Sequence, residues 1–452
     1  MAVQNGNIKD HIPMKIFNYP SEEAEKRVRD TIERGLGFSQ DDYDNVDAYI
    51  RDVKSRGDEA LVEYTHKFDS KAVTQETLKV TPAEFDAALH AVEPAFLKAL
   101  DRAVDQLKHF HSKQRENSWM DTPRNGVMVG QMVKPVEAAG VYVPGAQGGK
   151  TPLVSSVLMG GIPAKVAGVD RIALMTPPME DGSVNPHILA AAAKVGITEV
   201  FKAGSAWAIA ALAHGTEQVP RVDVIVGPGN IYVTLAKKIV SGTVGIDMIA
   251  GPSEILIIAD DTADADFVAA DLLSQAEHDP LASAILVTTS QRLADETAKA
   301  LEPQLEALPR RDIARHSIDH FGAILVVPDI ETGIELSNRL APEHLELMVE
   351  NPFEYLDRIR NAGAVFMGAH TPEPMGDYIA GPNHVLPTAG TARFSSALSV
   401  DHFVKKTSLI HYGQAAFEQE ADDVINLAET EGLEAHANSV RIRKIKLNKR
   451  NN

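Results

Sequence analysis

The sequence predicts an α/β protein with two Rossmann-like, doubly wound parallel-sheet domains and helical segments at both ends. Three observations predict it. From about residue 128 to residue 396, short β-rich runs alternate with Ala-rich helical runs. Gly and Pro punctuate the junctions, and the whole texture occurs twice in succession with no low-complexity linker between.

The elements follow in order. Residues 20–118 read as helical: "DNVDAYIRDVKSRGDEALVEYTHKFD" and "PAEFDAALHAVEPAFLKALDRAVDQLKHFHSKQ" carry apolar residues at three-and-four spacing, with Asp or Pro near their starts. The first α/β series runs "GVYVPG", "VSSVLMGGIPAKVAG", "RIALMTPP", "PHILAAAAKVG", "EVFKAG", "AWAIAALAHG", "VDVIVGPG" and "IYVTLAKKIVSG". The second runs "SEILIIAD", "ADFVAADLLSQAEHD", "SAILVTTS", "RLADETAKALEPQLEAL", "FGAILVVPD", "ETGIELSNRLAPE" and "AGAVFMG". After about 397 the chain reads as helical again and ends in a basic segment.

Composition excludes several classes. A chain of 452 residues, 44% hydrophobic and 24% charged, reads as globular and too long for one ordinary core. The net charge of −19 argues against nucleic acid as a partner, because phosphate backbones are bound by clustered cations. The basic run Arg441, Arg443, Lys444, Lys446, Lys449 and Arg450 reads as a solvated tail or a strand pairing with acidic surface. The first twenty residues lack the apolar run of a signal peptide, and no apolar run approaches 18 residues, so a cytoplasmic protein without a membrane span is expected. There is no cysteine, which excludes disulfides, thiolate metal sites and a thiohemiacetal route of aldehyde oxidation.

The motifs are read next. "VPGAQGGKTP" (143–152) is not a phosphate-binding P-loop: only three residues separate Gly145 from Gly149, and Pro144 stands where the missing Gly would be. In "VGPGN", Gly227 and Gly229 let backbone approach a ligand and Asn230 offers an amide, although a plain turn fits equally. "LLSQAEHDP" sets Gln275 and His278 three residues apart on one helix face, a spacing suited to a shared metal ion. Three further polar clusters lie on turns or element ends after strand–helix units, where α/β proteins put ligands. They are Glu343 with His344, Asp377 with His384, and Glu431 with His436. The alternative is a set of unrelated solvated turns.

The stretches "RGDEALVEYTHKFD", "IPAKVAGV", "VGPGNIYVTLAKK", "GIDMIAGPSEILIIAD", "DLLSQAEHDP", "APEHLEL", "GDYIAGPNHVLPTAGTARFSS" and "AHANSVRIR" resemble the histidinol dehydrogenase family, over nearly the whole chain and in the family's order. The resemblance implies a zinc- and NAD-dependent enzyme that oxidises L-histidinol through L-histidinaldehyde to L-histidine, ending histidine biosynthesis. It implies one zinc per subunit, held by Gln275, His278 and Asp377 of one subunit and His436 of the other, in a homodimer with shared active sites. Glu343 and His344 match the catalytic pair. Ser253, His384 and Glu431, with the zinc residues and His344, match the substrate side; Tyr142 and Asn230 match the NAD side. The implied division is an N-terminal extension (1–30), a discontinuous domain (31–140 with 252–396) bearing zinc and catalysis, an NAD-binding domain (141–251), and a C-terminal helical dimerisation segment (397–452).

Two departures stand out. The loop "VPGAQGGKTPL", with Lys150, is about three residues longer than the family's usual form. Trp207 in "GSAW" replaces the usual cofactor-site Gln, and an indole offers a stacking face or one N–H in place of an amide's paired donor and acceptor. The rival substrate reading is a family paralogue oxidising another primary alcohol, such as 2,3-dihydroxypropane-1-sulfonate. Glu431 opposes it, since a carboxylate repels a sulfonate and suits an amine.

Overall fold

In the computed structural model, which describes residues 14–34, 37–146 and 151–450, regular structure follows the alternation just read. The extended loop and Lys150 fall largely outside the described residues. A six-stranded sheet has the order Ile16–Asn18, Ala323–Val326, Ser283–Thr288, Glu254–Ala259, His344–Met348, Ala364–Met367, with every pairing parallel. A five-stranded sheet has the order Gly245–Ile246, Val224–Val226, Ala138–Tyr142, Arg171–Thr176, Glu199–Lys202, again all parallel.

Central strands are buried on both faces, and period-two alternation sorts their side chains between two helix layers. Ile255, Ile257 and Ala259 pack with Val268, Leu272, Leu293 and Ile318. Their alternates Leu256 and Ile258 pack with Val28, Ile334 and Leu340. The five-stranded sheet is covered in the same way. Val141 and Leu174 meet Leu107, Met159 and Ile188 on one face. Ala173 and Met175 meet Val46, Ile50, Leu61 and Ile209 on the other. Local signals set the helix starts: Ser39 with Asp42 and Thr81 with Glu84 form capping boxes, and Asn230 and Asp329 cap the helices that follow them.

The chain divides into two compact units, one comprising the chain up to Gln114 with Val136–Phe403, the other Arg115–Pro135 with the chain from Val404 onward. The first holds both parallel sheets. The second contains an antiparallel sheet, Val404–Tyr412 beside Val127–Pro135 beside Trp119–Arg124, and the helices Gln414–Thr430 and Glu434–Arg450. The C-terminal segment therefore begins with a nine-residue strand where the sequence reads as helical. That strand is largely exposed, so the register of its partner Val127–Pro135, and not a hydrophobic face of its own, specifies it.

The turn Gly227–Gly229 is held from below. Asp247 accepts the Gly227 N–H at 2.8 Å, and the buried Lys237 ammonium donates to Gly227 O at 2.9 Å while pairing with Asp247. Gly227 has φ +119°, and a Cβ there would stand 2.1 Å from Tyr142 O, so only glycine allows the turn to press against the end of the Ala138–Tyr142 strand. Removing one partner of this buried ion pair strands the other charge. Asp247→Ala is expected to lower the unfolding free energy by about 3–5 kcal/mol, read from the urea midpoint. Lys237→Met combined with Asp247→Leu is expected to recover much of that loss.

Candidate active site and metal centre

The helix Ile330–Leu340 ends at Ala341, which has φ +51°, and two residues later the chain enters the strand His344–Met348. Because that strand runs parallel to Glu254–Ala259, Glu343 and His344 emerge at the amino end of the sheet, beside Glu254. The backbone of one residue fixes both. The Glu254 N–H donates to Glu343 Oε2 at 2.9 Å, and His344 Nδ1 lies 2.9 Å from Glu254 O. A carbonyl only accepts, so Nδ1 carries the proton and Nε2 presents its lone pair.

Both side chains are nearly sealed, at 7% and 3% exposure. Burial pushes the Glu343 carboxyl well above the carboxylate range, opposed by the Glu254 N–H and reinforced by the acidic Glu254, Asp377 and Glu373. Burial drives His344 down to about 3, against the pull of its Glu254 hydrogen bond and helped by His278 and His384. His344 is thus a neutral base at working pH.

Gln275 lies in the last turn of the helix Ala265–Ala276, fully buried, with neither amide atom hydrogen-bonded. The helix ends before His278, which is exposed and reaches the site from the following turn rather than from the Gln275 helix face. Glu373 and Asp377 stand one turn apart on the short helix Glu373–Tyr378. Ligand atoms of His344, Glu373 and Asp377 all lie within 4.8 Å of one another. His344 Nε2 is 3.8 Å from Glu373 Oε1, and His384 Nδ1 is 3.7 Å from Asp377 Oδ1. His344 Nε2, Glu373 Oε1, His384 Nδ1 and both Gln275 amide atoms are buried without partners. Buried polar groups left unsatisfied on this scale mark a place for a ligand. Amide oxygen, carboxylate and imidazole form a donor set suited to zinc without thiolates.

The sequence places these groups on turns or element ends after strand–helix units, and the six-stranded sheet presents Glu343 and His344 at its amino end. The reason is geometric: a crossover helix runs back along its sheet, so its last turn, with Gln275, arrives where the next strand begins. Ser253, just before the Glu254–Ala259 strand, lies at the same end, where its carbonyl accepts from Ser283 N–H at 2.9 Å. Sequence reading missed Glu373, Glu346, Asp271 and Glu254. The first had a signal, four residues before Asp377 on one helix face. The others look like ordinary strand or helix residues.

The residues that the resemblance matches to the NAD side cluster at the carboxyl end of the five-stranded sheet. Tyr142 is buried, and its hydroxyl accepts from Ser205 N–H at 3.0 Å. Asn230 Oδ1 turns back to accept from Tyr232 and Val233 N–H, leaving the amide NH₂ to face outward. Gly229, Asn230 and Thr234 line a cavity of about 140 Å³ together with Gly251, Pro252, Asp279 and Leu281; Pro252 precedes Ser253 and Asp279 follows His278 in the chain. Trp207 is buried, stacked on Phe68 at 5.0 Å and flanked by Tyr49 and Tyr64, with its indole N–H unpartnered. Glu431 and His436 belong to the second compact unit, where both are exposed.

The family model described as histidinol dehydrogenase matches residues 35–444. The chain belongs to the histidinol dehydrogenase family. It is 55% identical over 398 residues to the histidinol dehydrogenase of Desulfotalea psychrophila, covering 88% of this chain and 92% of that one. It is 53% identical to the histidinol dehydrogenase of Oleidesulfovibrio alaskensis, covering 96% and 100%. The crystal structure of histidinol dehydrogenase from Elizabethkingia anophelis superposes with a TM-score of 0.90 at 40% identity, covering 97% of this chain and 100% of that one. Histidinol dehydrogenases are zinc- and NAD-dependent oxidoreductases of histidine biosynthesis, and the chain is an NAD-dependent dehydrogenase. The paralogue reading finds no support among these relatives.

The unsatisfied acids make a measurable signature. Burial and mutual repulsion raise Glu373 to about 8 and Glu346 to about 9. A carboxyl raised in the fold binds more protons folded than unfolded, so its contribution to stability is full below about pH 4 and is lost as pH rises through the folded value. His344 and His384 are neutral in both states above about pH 7, so they do not mask this. The metal-free protein is expected to lose melting temperature between pH 7 and 9, and zinc is expected to flatten that slope. A metal-free melting temperature that rises over the same range would count against the assignment.

Proposed function

We propose that the chain oxidises L-histidinol through L-histidinaldehyde to L-histidine, reducing two NAD⁺, at a site built on the Glu254 backbone. The observation that carries this is the pairing of a neutral, tautomer-fixed His344 with a buried Glu343 of high proton affinity, beside unsatisfied buried polar atoms. Gln275, His278 and Asp377 would hold zinc, with His436 supplied by the other subunit of a homodimer. When bound, zinc supplies a template that holds the nitrogen atoms of the amino alcohol and so orients it. NAD⁺ accepts the two hydrides. Tyr142, Asn230 and the Trp207 indole N–H form the protein side of the cofactor site.

His344 Nε2 removes the alcohol proton, and the hydride leaves carbon as the carbonyl forms. Glu343 then takes a proton from a water that adds to the aldehyde, giving the gem-diol. After passing its first proton to solvent, His344 deprotonates that diol for the second hydride transfer. Water serves as the nucleophile, in keeping with a chain that has no thiol. Ser253, His384 and, from the partner, Glu431 contact the substrate, and the carboxylate of Glu431 suits its cationic groups.

The division into an extension (1–30), a discontinuous catalytic domain (31–140 with 252–396), an NAD domain (141–251) and a dimerisation segment (397–452) completes the proposal. Cytoplasmic location without nucleic-acid or membrane partners fits the net charge of −19 and the absence, among the described residues, of any helix able to cross a membrane.

NADH formation tests the reading. L-histidinol should yield two NADH per molecule and 2,3-dihydroxypropane-1-sulfonate none, and a chelator should abolish the reaction until zinc is restored. His344→Asn is expected to slow both oxidations by about 10²–10⁴-fold. Glu343→Gln is expected to spare histidinol oxidation and to impair histidinaldehyde oxidation; equal loss of the two would overturn the separate roles.

A further inference from the structure

The pair Glu343–His344 is only as well placed as the backbone that holds it, and the residue that supplies this backbone is anchored by a side chain far away in sequence. Glu254 is itself buried, and its carboxylate lies 3.2 Å from Arg34 Nη2. The backbone N–H groups of Ala389 and Glu343 are its other donors. Arg34 stands just beyond the helix Glu22–Ile32, one residue before the stretch matched by the family model. Its other terminal nitrogen donates to Leu281 O at 2.7 Å, and its guanidinium lies over the Phe321 ring at 5.3 Å. Leu281 closes the turn that follows His278. One planar, fork-shaped cation therefore ties the segment bearing Gln275 and His278 to the strand end bearing the catalytic pair.

Building on the catalytic roles given above, we propose that Arg34 and the Glu254 carboxylate are positioning residues for the reaction, holding the Glu254 backbone so that Glu343 and His344 keep their orientation relative to the metal segment. Arg34 touches neither reacting group and acts through Glu254. Two donors diverging to a carboxylate and a carbonyl suit a guanidinium and not an ammonium, so Arg34→Lys is not a neutral exchange.

The test uses zinc-loaded, full-length protein and four variants: Arg34→Met, Glu254→Gln, His344→Asn, and His344→Asn combined with Arg34→Met. Arg34→Met and Glu254→Gln are expected to lower kcat for histidinol and for histidinaldehyde by about ten- to a hundredfold, the loss that follows from small misplacement of reacting groups. Zinc content and KM for NAD⁺ are expected to stay within about twofold of the parent. Guanidinium ion added to Arg34→Met is expected to restore part of the loss, and methylammonium is not. Because the alcohol step depends on His344 and not on Glu343, the double variant should be no slower than His344→Asn alone in oxidising histidinol to the aldehyde. Parental kcat in Arg34→Met beside an impaired His344→Asn would overturn the positioning role while leaving the catalytic roles standing. An additive loss in the double variant, or zinc loss with raised KM and no guanidinium rescue, would also overturn it. Parental activity in His344→Asn would instead overturn the roles of the pair.

Discussion

The backbone of Glu254 is the constraint on which the site depends. Its N–H and C=O point along the line of sheet hydrogen bonds, but at the amino end of the strand they meet side chains instead of a neighbouring backbone. The N–H holds the Glu343 carboxyl and the C=O takes the His344 imidazole N–H. Two successive peptide planes, joined at the Cα of Glu254, thereby set the direction of an acid and the tautomer of a base. Both planes are held by the first residue of the strand Glu254–Ala259, so the placement of the pair is tied to the sheet.

Around this fixed backbone the chain gathers polar groups that it does not satisfy. The Gln275 amide, Glu373 Oε1, His384 Nδ1 and His344 Nε2 are buried without partners. Such groups destabilise the fold, and they persist at functional sites because a ligand completes them. The surrounding acids Glu346 and Asp271 deepen the effect, since burial and mutual repulsion hold their carboxyls up. A divalent cation relieves desolvation and repulsion together, which is why a carboxylate-rich cluster without cysteine suits this centre.

Much of the fold was legible because its determinants are local. Runs such as "SEILIIAD" and "SAILVTTS" are apolar over their whole length, the mark of strands buried on both faces, and Asn230, Asp329 and Ser39 announce helix starts. The strand Val404–Tyr412 was not legible: its side chains are mostly exposed and its pairing is with residues nearly three hundred positions earlier. Of the candidate site, family motifs pointed to Gln275, Glu343, His344 and Asp377, and the fold brings ligand atoms of His344 and Asp377 within 4.8 Å of each other. Glu254 and Arg34 were not legible, because the backbone of Glu254 does the work and Arg34 acts at a distance of 220 residues. No pattern in the chain encodes which strand end faces which helix terminus. That follows only from the return of each crossover helix along its sheet.

The two sheets meet the site with opposite ends, one offering the carboxyl end of Val224–Val226 and the turn at Gly227, the other the amino end of Glu254–Ala259. Strands behave as rulers with a graduation of about 3.3 Å per residue. Inserting or deleting one residue in either ruler shifts one side of the gap by a full graduation and turns the side chains to the opposite face. A hydride crosses only when donor and acceptor carbons are nearly in contact, so a slip of that size is not a small perturbation. Length variation in such a chain is therefore confined to segments outside the rulers, and the longer stretch after Gly145 sits in such a place, between the end of one strand and the helix beginning at Val154.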